Sequence, residues 1–282
     1  RKGIGGSDVA AILGLNPWRS PFDVYLEKID EAPPREVGEA AYWGGVLEDV
    51  VSREFAKRTG LKVQRRNALL QHPEHEFMVA SLDREIVAKP RGVLEAKTTS
   101  AWNRDEWGDD KAPDAYVLQV MHYLAVTGYT YGYLAVLIGG NNFRMARVDR
   151  DEELIAYLIE REAEFWRRIE TRTPPPVDGS AACTATIKAL YSASERESVL
   201  LPLEAADVFR EYCAGCADVK AAEARRDAAA NEIKALMGDA EVGYLPGISK
   251  PVVTWKTVER KGYVVEPTTA RTFRVSYKER ED

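Results

Sequence analysis

The feature that most constrains this chain is an aspartate in one strand-like stretch facing a Glu-x-Lys triplet in the next. Asp83 lies in Ser81-Leu82-Asp83-Arg84-Glu85, and Glu95-Ala96-Lys97 lies in Gly92-Val93-Leu94-Glu95-Ala96-Lys97-Thr98. Between them Lys89-Pro90-Arg91-Gly92 carries a turn signal, so residues 83–88 are expected to fold back antiparallel onto 92–97. Side chains alternate faces along a strand, which places Glu95 and Lys97 on one side and Ala96 on the other. An odd number of loop residues brings Asp83 onto the same face as that pair. Two carboxylates and an ammonium then converge. Taken alone, the pattern reads first as a cross-strand ion pair on a solvated sheet face. It also suits metal-assisted phosphodiester hydrolysis. Asp83 and Glu95 would be oxygen ligands for Mg²⁺, with the Ala96 carbonyl as a third, and Lys97 would orient the attacking water.

The flanking sequence supplies helices that can close over such a sheet. Gly3-Ile4-Gly5-Gly6-Ser7-Asp8 precedes a short apolar run, and Ser7 or Asp8 is a candidate cap. The free N–H groups there read equally as an anion site. Ser20-Pro21 starts a second helix, serine as cap and proline at the first position. Trp18 and Arg19 stand at the joint, where they would meet nucleic acid or stack on each other. A third helix is expected from about Gly38 to Thr59, closed by Gly60, with Trp43, Leu47, Val50, Val51 and Phe55 as its inward stripe. Glu48 sits at the edge of that stripe and needs a partner, a lysine being the first expectation and a metal-bound water the second.

Strands are expected at 61–70 and 76–80, before the hairpin. Trp102, Asn103, Trp107 and Pro113 mark a long loop. Asp114 is expected to cap a helix, Ala115 to Thr127, on which Tyr116, Gln119 and Tyr123 are one turn apart and able to point together toward the sheet. An apolar strand, Tyr131 to Ile138, a Gly-Gly-Asn-Asn turn and a return strand follow, then an amphipathic helix over 151–171 with Leu154, Tyr157, Leu158, Glu162, Phe165 and Ile169 at helical spacing. Thr173-Pro174-Pro175-Pro176 stops it and reads as a domain boundary, giving a core of 1–176 and an appendage of 177–282. In the appendage, 204–237 is alanine-rich and charged without an apolar heptad, the pattern of a long helix or helical hairpin and not of a coiled coil. Short strands are expected at 252–255, 263–265 and 272–275, with basic residues among aromatics; these fit nucleic-acid binding or, more plainly, a small solvated sheet.

Charge and cysteine usage narrow the classes. A net charge of -6 over 282 residues argues against nonspecific coating of nucleic acid, while leaving room for a local basic channel. No run approaches the ~18 apolar residues of a membrane span and no signal peptide pattern opens the chain, so a cytoplasmic location and no membrane partner are expected. Cys183, Cys213 and Cys216 suit a reducing compartment. The single Cys213-x-x-Cys216 pair, even with His72 and His75, is a poor zinc site, and three cysteines are too few for an iron–sulfur cluster.

Six motifs in order carry a resemblance: Gly5-Gly6-Ser7-Asp8, Leu15-Asn16-Pro17-Trp18, Gly44-x-x-Leu47-Glu48, Ser81-Leu82-Asp83, Glu95-Ala96-Lys97 and Gln119-x-x-x-Tyr123-Leu124-Ala125-Val126-Thr127-Gly128. Together they resemble the YqaJ-like viral recombinase family, which is similar to phage lambda exonuclease and belongs to the PD-(D/E)xK nucleases. The resemblance covers about 1–176 and implies an α/β, restriction-endonuclease-like core with a central mixed sheet flanked by helices. It implies a Mg²⁺-dependent exonuclease, Mn²⁺ substituting, that digests linear double-stranded DNA from 5′ ends and leaves 3′ single strands for recombination. A structure-specific or endonucleolytic enzyme and a noncatalytic DNA-binding protein are the alternatives. In that pattern Asp83 and Glu95 hold the metal, Lys97 serves the water, and Glu48 is the upstream helical acid near a metal or its water. Gln119, with Tyr116 or Tyr123, braces the site and touches the scissile strand. Ser7 lines a 5′-phosphate pocket whose basic companion falls at or just before Arg1, with Lys2 as the alternative. The expected Pro-Asp reads Leu82-Asp83, which leaves the carboxylate intact. The resemblance also implies a ring-shaped homotrimer and a single-strand annealing protein as partner.

Overall fold

A computed structural model of the chain describes residues 3–34, 38–108, 111–193, 198–259 and 275. It divides into two compact units, 1–191 and 192–282. In the first, strand β1 (Ile4–Gly5) leads into helix α1 (Gly6–Ile12), followed by α2 (Pro21–Lys28) and α3 (Glu39–Thr59). Short strands β2 (Val63–Gln64), β3 (Leu70–Gln71), β4 (Met78–Ala80) and β5 (Arg84–Ile86) precede the long β6 (Gly92–Thr99). A 3-10 helix (Ala101–Glu106), α4 (Asp114–Thr127), β7 (Tyr131–Ile138), β8 (Asn142–Asp149), α5 (Glu152–Glu170) and α6 (Ala181–Leu190) complete it.

The central sheet has the order β2-β5-β6-β7-β8 and is mixed: β6 and β7 run parallel and every other pair is antiparallel. Alternation along its strands feeds two cores. Val93, Leu134, Val136 and Ile138 face α4, α1 and α5 through Leu118, Val120, Leu124, Val9 and Leu158. Leu94, Tyr131 and Ala135 face α3 through Val51 and Phe55. Each fully buried leucine, such as Leu94, Leu124 or Leu134, contributes about 1.5–3 kcal/mol by leaving water. The result is an α/β/α sandwich, the restriction-endonuclease-like arrangement expected. A smaller sheet, β1-β4-β3, ties the start of the chain to the residues just ahead of Asp83.

Helix ends follow local chemistry where a side chain or glycine decides them. Ser20 caps α2, with Asp23 bonding back to the Ser20 N–H at 2.6 Å. Asp151 caps α5 by accepting from Glu153 and Leu154. Gly60 closes α3 in the left-handed conformation at φ 71°. Elsewhere the expectations are corrected. Helix α1 begins at Gly6 behind Gly5, so neither Ser7 nor Asp8 is its cap; Asp8 sits inside the first turn and its carboxylate accepts from the Gly5 N–H at 2.9 Å. Asp114 is the first residue of α4 and its side chain caps nothing, the cap position being Pro113. On α3 only Val51, Ser52 and Phe55 are buried, whereas Trp43 and Val50 are exposed, because the core on that face of the sheet closes around Val51 and Phe55 in the second half of the helix. Tyr157 of α5 is likewise exposed, and Ile155 takes the buried place.

Past the proline run at 174–176, α6 still belongs to the first unit: Ser180 caps it, Cys183 is fully buried, and Thr186 hydrogen-bonds the buried Asp23 of α2. In the second unit α7 (Ala205–Met237) is one continuous helix, not a hairpin, with no buried residue; Cys213 and Cys216 lie on it one turn apart. Strands β9 (Val242–Gly243) and β10 (Val253–Thr254) pair antiparallel. The strands expected at 263–265 and 272–275, like Lys2, fall outside the described residues save for Val275. Among the described residues no helix is long and apolar enough to cross a membrane.

Candidate active site

Five residues, Val87 to Arg91, separate β5 from β6, and the register pairs Arg84 with Leu94 and Glu85 with Val93. Extended by one step, that register sets Asp83 across from Glu95, on the face that carries Lys97 and looks toward α4. The contacts agree. The Ala96 N–H donates to Asp83 Oδ2 at 2.9 Å, and Lys97 Nζ donates to Glu95 Oε1 at 2.7 Å. From α4, Gln119 Nε2 donates to the same Glu95 Oε1 at 2.6 Å and to the Tyr123 hydroxyl at 2.9 Å. The Tyr116 ring lies 5.0 Å from Lys97 Nζ. Asp83, Glu95, Lys97, Tyr116, Gln119 and Tyr123 are thus brought together.

Electrostatics mark the place as unusual. Burial, then the negative charge of Glu95, pushes the Asp83 carboxyl up to about 8. Burial opposes the charge on Lys97, but the Glu95 carboxylate and its hydrogen bond, with Asp83 behind them, outweigh that and raise the lysine above its ordinary value. Glu95 is 3% exposed, and its Oε2 is a buried oxygen without a hydrogen-bond partner. A buried carboxylate oxygen without a hydrogen-bond partner, beside a second carboxylate that ionises with difficulty, is a donor arrangement that a bound cation would fit. All the donors are oxygens, which suits a hard divalent ion completed by water and substrate phosphate. Among the described residues no group of three or more His, Cys, Asp and Glu has metal-site spacing, so the side-chain donors for a cation here would be the Asp83–Glu95 pair alone.

Glu48 is placed differently from the sequence expectation. Its partner is Arg84, not a lysine: Arg84 Nη1 donates to Glu48 Oε1 at 2.6 Å and Nη2 to Asp49 Oδ1 at 2.9 Å. Arg84 is 4% exposed and packs on the α3 face of the sheet, so it draws Glu48 round the strand end toward Asp83, whose ionisation the Glu48 charge also opposes. Sequence reasoning missed Arg84, although its position next to Asp83 in a strand with alternating faces was the available signal.

Ser7 is exposed in the first turn of α1, and Arg19 Nη1 donates to its carbonyl at 3.2 Å. The Arg19 guanidinium is otherwise engaged with Asp8 at 3.1 Å and Glu27 at 2.5 Å, while Lys28 holds the other Asp8 oxygen at 2.6 Å. A second cluster escaped the sequence altogether. Glu85, two residues along from Asp83, is buried and accepts from Gln64 and Arg66 at 2.8 Å, Arg91 at 3.1 Å and the Tyr129 hydroxyl. Burial alone would raise its pKa, and these hydrogen bonds instead hold it at about 2.

A family model for the YqaJ-like viral recombinase domain matches residues 1–130. The uncharacterized protein YqaJ of Bacillus subtilis (strain 168) is 41% identical over 262 residues, spanning 90% of this chain and 82% of its own length. The chain belongs to the YqaJ-like viral recombinase family. Among solved structures it is similar to an alkaline exonuclease, LHK-Exo, from Laribacter hongkongensis, at 19% identity with a TM-score of 0.51 over 61% of this chain and 90% of that one. LHK-Exo in complex with dAMP gives the same TM-score at 20% identity, with the same coverage. At such identities the likeness is one of fold: this recombinase-family chain shares the fold of that alkaline exonuclease.

Proposed function

We propose that the chain is a metal-dependent exonuclease that degrades linear double-stranded DNA from 5′ ends and leaves 3′ overhangs for homologous recombination. The observation that carries this reading is the pairing of buried Glu95, one oxygen held by Lys97 and Gln119 and the other unpartnered, with the reluctantly ionised Asp83. Family membership and a fold shared with an alkaline exonuclease that has been studied with dAMP support it.

Asp83 and Glu95 would hold Mg²⁺, or Mn²⁺ in its place, with the Ala96 carbonyl as a third donor and Glu48 as a further acid near the metal or its water. In such a donor set the ion's chemistry is to polarise the phosphoryl group and acidify the attacking water. The chain's own residues do the rest. Gln119, itself set by Tyr123, fixes the Glu95 carboxylate so that Oε2 points free. Lys97, kept charged by its two acidic neighbours, orients the water and offsets charge that develops on the phosphoryl oxygens. Arg84 holds Glu48 and Asp49 in place and offsets part of their charge, which limits repulsion of the incoming phosphate. Tyr116 borders the scissile strand. Ser7, with Arg19 on its carbonyl and Lys2 nearby in sequence, is the candidate hold on the 5′ phosphate.

The same reading extends to assembly as a homotrimer around DNA and to cooperation with a single-strand annealing protein, which light scattering and co-purification check. The function itself is tested by offering 5′-phosphorylated linear, 5′-hydroxyl linear and closed circular duplexes with Mg²⁺ or with EDTA. Loss of linear DNA from 5′ ends, only with metal, is expected. Cleavage of the closed circle, or digestion in EDTA, contradicts the proposal.

A further inference from the structure

Beyond Lys97 the row of side chains on β6 runs into a cavity that the catalytic reading leaves unused. It measures about 270 Å³, and its lining includes Trp18, Thr99, Asn103, Trp107 and Tyr116. It is continuous with the site: Thr99 follows Glu95 and Lys97 on the same face of β6, and the Tyr116 ring that borders it is the one beside Lys97 Nζ. Trp107 is 5% exposed and stacks on Tyr116 with centroids 5.6 Å apart, so that wall is fixed. Trp18 is 68% exposed yet held on a braced turn, since its N–H and that of Arg19 both donate to Asn16 Oδ1 at 2.9 and 3.1 Å. Leu15, also exposed, lies with Trp18 in the same lining, so the two form an apolar patch at the mouth of a cavity beside a charged site, the kind that marks a ligand groove.

The lining tells what kind. It contains no lysine or arginine and includes the carboxylates of Glu106 and Asp114, so it repels a phosphate. Asn103 donates its amide to Thr99 Oγ1 at 2.9 Å, which turns its carbonyl oxygen over to other donors. Rings and acceptor oxygens fit a flat heteroaromatic group with N–H donors at its edge. The volume falls below the 300–1,000 Å³ usual for drug-sized ligands and suits a single ring system. Since Lys97 and the two carboxylates next door would handle the phosphate, the group that reaches this cavity is the base attached to it. We propose that Trp18, with Trp107 and Tyr116, forms a nucleobase pocket that seats the base next to the bond being cut. The proposal rests on the nuclease reading above.

The test uses wild-type protein, Trp18→Ala and Trp18→Phe with Mg²⁺ on linear duplexes whose 5′-terminal nucleotides are either normal or abasic. Base-to-aromatic stacking of the usual strength predicts that abasic ends cost the wild type roughly 5- to 100-fold in kcat/KM. Trp18→Ala should show that loss already on normal DNA and no further loss on abasic DNA, while Trp18→Phe stays within a few-fold of wild type. Equal abasic sensitivity in wild type and Trp18→Ala overturns the pocket and leaves the nuclease reading standing. Should wild type cut nothing, that reading fails, and the pocket is judged alone by tryptophan fluorescence in EDTA. Quenching by dAMP but not by 2-deoxyribose 5-phosphate, weakened in Trp18→Phe, then supports it. Quenching by tetramethylammonium and not by dAMP overturns it in favour of a cationic occupant.

Discussion

Replacing Asp83 with asparagine should stabilise the metal-free fold while abolishing the proposed activity. Burial and the Glu95 charge raise Asp83 from 3.8 to about 8. Between those two values the folded state binds a proton that the unfolded chain lacks. The contribution of Asp83 to stability is therefore complete below about pH 4 and is lost as pH rises through about 8. Asparagine stays neutral throughout and can still accept the Ala96 N–H. A displacement of about four units corresponds to at most ~5.5 kcal/mol. Asp83 is partly open to solvent, which reduces this to about 2 kcal/mol, or about 4–8 °C in the melting of a unit this size. The assay is thermal unfolding in EDTA at pH 5 and pH 9. Asp83→Asn should melt higher at both, by roughly a quarter of the full gap at pH 5 and by the whole of it at pH 9. Adding Mg²⁺ at pH 9 should raise only the wild type and close the gap. A variant no more stable than wild type at pH 9 in EDTA refutes the reasoning.

Other substitutions probe the supports of the site. Gln119→Leu removes one of the two donors on Glu95 Oε1 and should lower Mg²⁺ affinity or kcat about 10- to 100-fold with little change in Tm, read by calorimetry and digestion rates. Gly6→Ala would set a Cβ 2.6 Å from the Tyr123 ring and 3.0 Å from the Gln119 carbonyl, so α4 must shift; about 1–3 kcal/mol of stability and most of the activity should be lost together, as urea unfolding and digestion would report. Glu162→Ala strands fully buried His122, whose other ring nitrogen contacts the Val79 carbonyl, and should cost about 3–5 kcal/mol by urea unfolding. Burial opposes the charge on His122 but Glu162 raises its pKa above 6.5, so that cost is largest below pH 6.5 and shrinks as pH climbs through the raised value.

The site was legible because strand alternation and an odd five-residue loop are strictly local rules: they put Asp83, Glu95 and Lys97 on one face before any packing is known. Gln119, Tyr116 and Tyr123 followed from helical spacing, and Gly60, Ser20 and Pro21 announced their helix ends. What escaped depended on distant partners. Arg84 as the holder of Glu48, the donors Gln64, Arg66 and Tyr129 around Glu85 and the buried His122–Glu162 pair join residues 19 to 44 positions apart. The apolar stripe of α3 was misjudged because periodicity says which side of a helix is apolar but not how much of its length the core beneath it covers. Trp107 reads as a loop residue in sequence, and only the stack on Tyr116 turns it into a wall.

The most direct check on the central claim is nucleotide release from 5′-phosphorylated linear duplex by wild type and by Glu95→Gln in Mg²⁺, both proteins first shown to be folded. The account predicts steady release by wild type and about a 10²- to 10³-fold loss in the variant, comparable to removal of a principal electrostatic group. Release by Glu95→Gln at the wild-type rate would contradict it.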